Sequence, residues 1–251
     1  MEFRIEVLGP FKLVNLRDGA SIPLRSNAKI LAYLAVQAPQ PVSRRAVVHE
    51  LWPGVEAEVA NNRLRVALAK LRQLLPNAIV ESQDGLTLHP DVVECDARVF
   101  RAMVDESRDT SREEDEFDGL QEAYRYFYRN VRGSGFESWP LEVLKEPIDT
   151  FHTVCIRMAE LGLKLRRTNI VSEICARALL LWPRDTTLWK AMLEARNSLG
   201  QGEAAVREIS ATKDRALLTD KEVRPVIDRI LKGDSDETRY GVSISASEAN
   251  L

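Results

Sequence analysis

The sequence predicts two regions of different fold class, an α+β region over residues 1–96 and an all-α region over residues 97–232. Two observations lead to this division. Short alternating segments, three helical patterns and a hairpin pattern fill the first region, whereas helical patterns with few strand signals fill the second. Residues 233–251 are polar and rich in serine, and we expect them to form a disordered tail.

Strand and turn signals alternate at the N-terminus. Residues 3–8 and 11–14 alternate apolar and polar side chains, and Gly9 and Pro10 separate them. A third extended segment follows at residues 21–24. We expect these segments to form a small antiparallel sheet.

Three helices are predicted next. Apolar residues recur at helical spacing over residues 27–37, and Ser43 is a suitable N-cap for a second helix over residues 44–51. The third helix, residues 56–75, contains no glycine or proline and is the longest in the first region. Its apolar face consists of Ala60, Leu64, Ala67, Leu68, Leu71 and Leu75.

A β-hairpin signal follows the third helix directly. Residues 78–82 and 86–89 are extended segments on either side of Asp84-Gly85, a pair favoured in turns where both residues have positive φ. The order of elements is therefore sheet, three helices and hairpin. This is the order of a winged helix-turn-helix.

The polar face of the third helix has the residue types that bind DNA. The net charge of the chain is −3, but residues 59–75 contain four basic side chains and no acid. Asn and Gln bond base edges, Arg and Lys reach guanine or phosphate, and small apolar side chains contact thymine methyl groups. Arginines at the start of the second helix are placed for phosphate contacts. The predicted DNA-binding residues are Arg44, Arg45, Asn62, Arg63, Arg65, Val66, Ala69, Lys70, Arg72 and Gln73.

The second region repeats itself with a period of 34 residues. Core positions that begin with Cys155 recur in the same order from Trp189 onwards. This is the period of a tetratricopeptide (TPR) helix-turn-helix repeat. We predict TPR-like repeats over residues 152–185 and 186–219 and a capping helix over residues 220–232.

The composition excludes several classes of protein. Hydrophobic residues make up 45% of the chain and charged residues 29%, which is typical of a soluble globular protein without membrane spans. Residues 1–6 carry charge where a signal peptide needs an apolar stretch, so a cytoplasmic location is expected. The three cysteines and three histidines lack the spacing of a disulfide framework or a metal site. With no catalytic group of residues either, we expect no enzyme, no cofactor and no metal.

Several motifs of the first region resemble a known family. They are Leu51-Trp52-Pro53, Asn61-Asn62-Arg63-Leu64-Arg65, Leu71-Arg72 with Leu75, the hairpin glycine Gly85, and Asp96 with Phe100. They resemble the OmpR-type DNA-binding domain, and more closely the regulators that join it to a bacterial transcriptional activation domain, as in the Streptomyces antibiotic regulatory proteins. The second region of that family is a bundle of TPR-like helices. The resemblance implies a cytoplasmic activator that binds direct repeats in promoter DNA, often as a homodimer, and contacts RNA polymerase.

Two segments depart from the family pattern. Leu86 follows Gly85 where the family usually has an aromatic residue, and the hairpin tip at residues 83–85 offers no cation to the minor groove. The acidic-Leu-Gly-Pro signature that ends the family's activation domain is not evident in residues 219–231. We therefore expect the third helix, rather than the hairpin, to provide most of the sequence readout.

The sequence leaves two functions open. In the first, the protein is a sequence-specific transcriptional regulator that reads promoter DNA with the helix over residues 56–75. In the second, the polar face of that helix is a solvated surface, and the chain is a TPR-type protein-interaction adaptor whose winged helix no longer binds DNA. The salt dependence of DNA binding separates the two, because phosphate contacts release counterions.

Overall fold

The computed structural model describes residues 1–24, 27–131 and 141–233. The chain divides into two compact units, residues 1–154 and 155–251. The first unit has the element order β1 (Phe3–Glu6), β2 (Lys12–Asn15), α1 (Ala28–Gln37), α2 (Arg44–Leu51), α3 (Ala57–Leu74), β3 (Ile79–Glu81), β4 (Leu86–Leu88), β5 (Val93–Cys95), α4 (Asp96–Arg108), α5 (Glu113–Val131) and the start of α6 (Leu141–Lys164). The second unit continues with α7 (Thr168–Ala178), α8 (Thr186–Ser198), α9 (Gly202–Ala211), α10 (Arg215–Leu218) and α11 (Val223–Leu231). Residues 234–251 of the predicted tail lie outside the described residues.

The N-terminal sheet is mixed rather than antiparallel. Strand β1 pairs antiparallel with β2, as predicted, and parallel with β5 on its other side. The prediction was wrong for residues 21–24, which form no strand; Ser21 only makes an isolated bridge with Val14. Pro23 interrupts that segment and has no N–H to donate to a ladder.

The three predicted helices are confirmed, with ends that differ by at most one residue. The Ser43 hydroxyl caps α2 by accepting the backbone N–H of Ala46 at 3.1 Å. Helix α2 packs against both α1 and α3. The predicted apolar face of α3, including Leu75 just after the helix, is buried in the core of the first unit. The opposite face of α3 is thereby left to solvent.

The predicted β-hairpin is present, but its turn differs from the prediction. Strands β3 and β4 pair antiparallel, and a four-residue loop at residues 82–85 joins them. In this loop Gly85 has a φ of 141° whereas Asp84 does not have a positive φ. The reason is a close backbone contact, since a Cβ on Gly85 would lie 2.3 Å from the carbonyl oxygen of Val42. Val42 and Leu86 also exchange two backbone hydrogen bonds of 2.8 Å, which fasten the hairpin to the chain just before α2.

The first compact unit continues past residue 96. Helix α4 packs against β1, β5, α1 and α5. The buried carboxylate of Asp96 accepts the backbone N–H groups of Val7 at 2.9 Å, Leu8 at 3.1 Å and Ala97 at 2.8 Å, which fixes the start of α4 against the end of β1. The domain boundary at residue 96 stays a prediction.

The second unit consists of helices throughout its described part. Helix α7 packs against α8, α8 packs against α9, and α11 covers α8 and α9. Asp185 caps α8 by accepting the N–H of Leu188 at 2.8 Å, and the Trp189 indole donates to the carbonyl of Pro183 at 2.9 Å. Most positions of the predicted repeat are buried, namely Cys155, Met158, Ala159, Val171, Cys175, Ala178, Trp189, Met192, Leu193, Ala205 and Ile209. Thr212 is exposed, and the assignment of these helices to TPR-like repeats stays a prediction.

No helix in the described part of the chain is long and apolar enough to cross a membrane.

Candidate nucleic-acid interface

Helix α3 turns its polar face to solvent along its whole length. Its 18 residues give it a length of about 27 Å. Val66 at the middle of this face is 45% exposed although its side chain is apolar. All the α3 residues predicted to contact DNA are exposed, namely Asn62, Arg63, Arg65, Val66, Ala69, Lys70, Arg72 and Gln73.

The spacing of residues along α3 separates the two faces. Leu64, Leu68 and Leu71 follow one another at intervals of four and three residues and are buried. Asn62 and Val66 begin a second line at the same intervals, which continues with Ala69 and Gln73 on the exposed side. Because the core contacts of such a helix are confined to the first line of residues, the second line can enter a groove without disrupting those contacts.

The start of α2 lies next to this face. Arg45 is exposed and Arg44 is half-buried. The Ser43 cap uses one backbone N–H of the first turn, and the remaining unbonded N–H groups there favour an anion.

Glu81 on β3 connects two of the predicted phosphate contacts, and the sequence analysis missed it. Its Oε1 accepts from Arg44 Nε at 2.8 Å and lies 2.7 Å from Arg44 Nη2, while its Oε2 accepts from Arg72 Nη2 at 2.8 Å. The hydrogen bonds of Arg72 and Arg44 lower the pKa of Glu81, because they stabilise the carboxylate. These ion pairs join α2, α3 and β3. The sequence places Glu81 nine residues after Arg72 and 37 after Arg44, spacings at which no local pattern signals a contact.

Two of the residues predicted to read bases, Asn62 and Arg65, are bonded to each other. Arg65 Nη2 donates to the side-chain oxygen of Asn62 at 3.0 Å, across one turn of α3. Asn62 needs that oxygen to accept the N6 amino group of adenine in a bidentate contact. The predicted base contact of Asn62 would therefore require Arg65 to move or to share this oxygen.

Among the described residues, no group of three or more His, Cys, Asp or Glu side chains is arranged to hold a metal ion. Burial raises the pKa of Cys95 and Cys175 to about 12 and raises that of Cys155 as well, so these thiols stay protonated. Buried, protonated thiols are poor nucleophiles.

Comparison with known proteins identifies the fold. No family model matches the chain, and no curated protein matches it significantly. A solved structure does match, that of Mycobacterium tuberculosis EmbR in complex with a low-affinity phosphopeptide, with a TM-score of 0.66 over 92% of this chain. This chain has the fold of EmbR. The identity to EmbR is 20%, and this chain spans 65% of the length of that EmbR chain. The EmbR fold supports the predicted layout of an α+β region followed by a helical region.

Proposed function

We propose that the protein is a sequence-specific DNA-binding transcriptional regulator, an activator that places α3 in the major groove of promoter DNA. The observation that carries this proposal is the division of α3 into a buried leucine face and an exposed face with Asn, Gln, Arg, Lys and small apolar side chains. The major groove is about 12 Å wide and admits one α-helix. The major groove is therefore wide enough to admit α3 with its exposed face toward the base edges.

Each group on the face has a role in this proposal. Asn62 and Gln73 bond base edges, and Val66 and Ala69 lie close to thymine methyl groups. Arg63, Arg65 and Lys70 reach guanine or phosphate. Arg45 and Arg44 at the start of α2, with Arg72 on α3, contact the phosphate backbone and fix the orientation of the protein on the duplex.

The helical region from residue 97 to residue 232 is proposed to be a TPR-like activation domain. The resemblance to the Streptomyces antibiotic regulatory proteins suggests that it contacts RNA polymerase and supports a homodimer on direct repeats. Residues 1–96 hold as many basic as acidic side chains, so one winged helix has little net attraction to DNA. Dimerisation or polymerase contact would supply the missing affinity.

The test is the salt dependence of DNA binding by the full chain. Promoter fragments that the protein retains at low salt are titrated by fluorescence anisotropy between about 50 and 300 mM KCl. Arg65→Ala should reduce the slope of log affinity against log salt by about one unit, because one phosphate contact is lost. The matched control is Arg207→Ala, which removes an exposed arginine of α9 that pairs with Glu203 one turn away. No retained fragment at low salt would refute the proposal.

The adaptor function is favoured by one observation. Glu81 already pairs with Arg44 and Arg72, which lowers the positive charge offered to a phosphate. In an adaptor these pairs are part of a protein-binding or solvated surface. Failure to retain any genomic DNA fragment, combined with an intact fold by circular dichroism, would favour this alternative.

A further inference from the structure

Glu81 lies at a position where its charge works against DNA binding. It is on the first strand of the hairpin, beside the first turn of α2 and the last turn of α3. Its carboxylate holds the guanidinium groups of Arg44 and Arg72 on separate oxygens. Two positive charges and one negative charge leave this three-residue group, the Glu81 clamp, with a net charge of +1.

Folding stability does not account for the Glu81 clamp. The side chains of Arg44, Arg72 and Glu81 are 41%, 43% and 38% exposed. Ion pairs with this exposure contribute little to stability, since water and salt screen them and two long side chains lose freedom.

The Glu81 clamp leaves most N–H groups of each guanidinium available to donate hydrogen bonds. A guanidinium has five N–H groups. Glu81 takes two nitrogens of Arg44 and one of Arg72, and the described residues provide no other partner for either side chain. The two contacts to Arg44 restrict the direction of its remaining N–H groups, and the single hydrogen bond to Arg72 restricts that arginine less. A planar guanidinium that is held in this way can still recognise a phosphate with two N–H groups.

We propose, on the basis of the DNA-binding function above, that Glu81 is a positioning residue for DNA specificity. It orients Arg44 and Arg72 and neutralises one of their two charges. A phosphate contacts both arginines fully only where the shape of the DNA brings it to the remaining N–H groups of Arg44 and Arg72. On other sequences the carboxylate repels the backbone, and non-specific binding is weakened.

The first variant is Glu81→Gln in the full chain, which removes the charge and keeps the size. Binding is measured on a fluorescein-labelled 30-base-pair duplex of random sequence and on a genomic fragment selected by the wild-type protein. On the random duplex, affinity should rise about fivefold, the scale of a surface ion pair. The salt slope there should steepen by about 0.9, because one more phosphate charge is neutralised. The preference for the selected fragment over the random duplex should fall by a similar factor.

Two further variants separate charge from position. Glu203→Gln removes the same charge from an exposed ion pair with Arg207 on α9, outside the proposed DNA interface; it should leave the preference unchanged. Glu81→Asp keeps the charge but is one methylene shorter, so the salt slope on the random duplex should stay at the wild-type value while the preference falls.

The outcomes distinguish this proposal from the DNA-binding function itself. If the wild-type protein selects no fragment, both fail. If it selects a fragment and Glu81→Gln has the wild-type slope and preference, DNA binding stands and the role of Glu81 is overturned. A uniform loss of affinity for both duplexes in Glu81→Gln, with a lowered melting temperature, also overturns it, because that is the signature of a purely structural residue.

Discussion

The hairpin depends on one glycine, and Gly85→Ala is the sharpest test of how it is held. Gly85 has a φ of 141°, a region that side-chain-bearing residues rarely occupy. A Cβ at this position would lie 2.3 Å from the carbonyl oxygen and 2.5 Å from the carbonyl carbon of Val42. Both are backbone atoms, so the clash cannot be relieved by a side-chain rotation. Val42 or the hairpin must move.

The cost of Gly85→Ala follows from two contributions. The unfavourable φ costs about 1–3 kcal/mol for a residue with a Cβ. Displacing Val42 breaks the two backbone hydrogen bonds it exchanges with Leu86, each 2.8 Å long and each worth about 1 kcal/mol. Together these give a loss of about 3–5 kcal/mol in the free energy of unfolding of the first unit.

Gly54→Ala is the matched control. Gly54 also has a positive φ, 78°, but a Cβ there would have no neighbour within 4 Å. Its substitution should cost only the backbone contribution of about 1–2 kcal/mol. Urea denaturation, with hydrogen exchange of residues 78–89 followed by mass spectrometry, measures both variants in the full chain. Equal losses for the two variants, with the hairpin still protected in Gly85→Ala, would refute the role assigned to Val42.

Two further predictions concern buried titratable groups. Burial raises the pKa of Asp96 to about 6, so the folded state binds a proton more tightly than the unfolded state. Lowering the pH from 7 to 4 should therefore stabilise the wild-type protein. Its free energy of unfolding, measured relative to that of Asp96→Asn, should rise by about 2 kcal/mol. A carboxyl pKa below 4 by NMR would contradict this. Burial raises the pKa of Cys95 and Cys175 to about 12, so iodoacetamide at pH 8 should modify them more than about a hundredfold more slowly in the native protein than in urea, as mass spectrometry would measure. Rapid modification of the native protein would show that these thiols are accessible.

The sequence predicted the local elements of the first region well because their signals are local. Each of these signals depends on residues within a few positions of one another. They are the Ser43 cap, the leucine spacing of α3, and the helix-breaking residues before and after α3. The same signals separated the buried face of α3 from the exposed one. The exposure of the predicted DNA-contact residues follows directly from that periodicity.

Long-range contacts explain what the sequence did not predict. Strand β5 has only three residues, and its partner β1 lies some 90 positions earlier, so neither length nor alternation marks it. The φ of Gly85 is set by Val42 across the fold rather than by the preceding Asp84. Glu81 forms ion pairs with residues on two other elements, and only their packing shows that they meet.

The attachment of Leu86 to Val42 determines where this fold can vary in length. Ser82 donates its N–H to the carbonyl of Gly85 at 2.9 Å, so these two residues close the loop at its base. Residues 83 and 84 lie beyond that closure, and the anchoring contacts do not include them. Insertions at the tip can lengthen the hairpin outward while α2 and α3 keep their positions. Related chains of this fold are thus free to acquire a longer or more basic tip without any change in the position of α3.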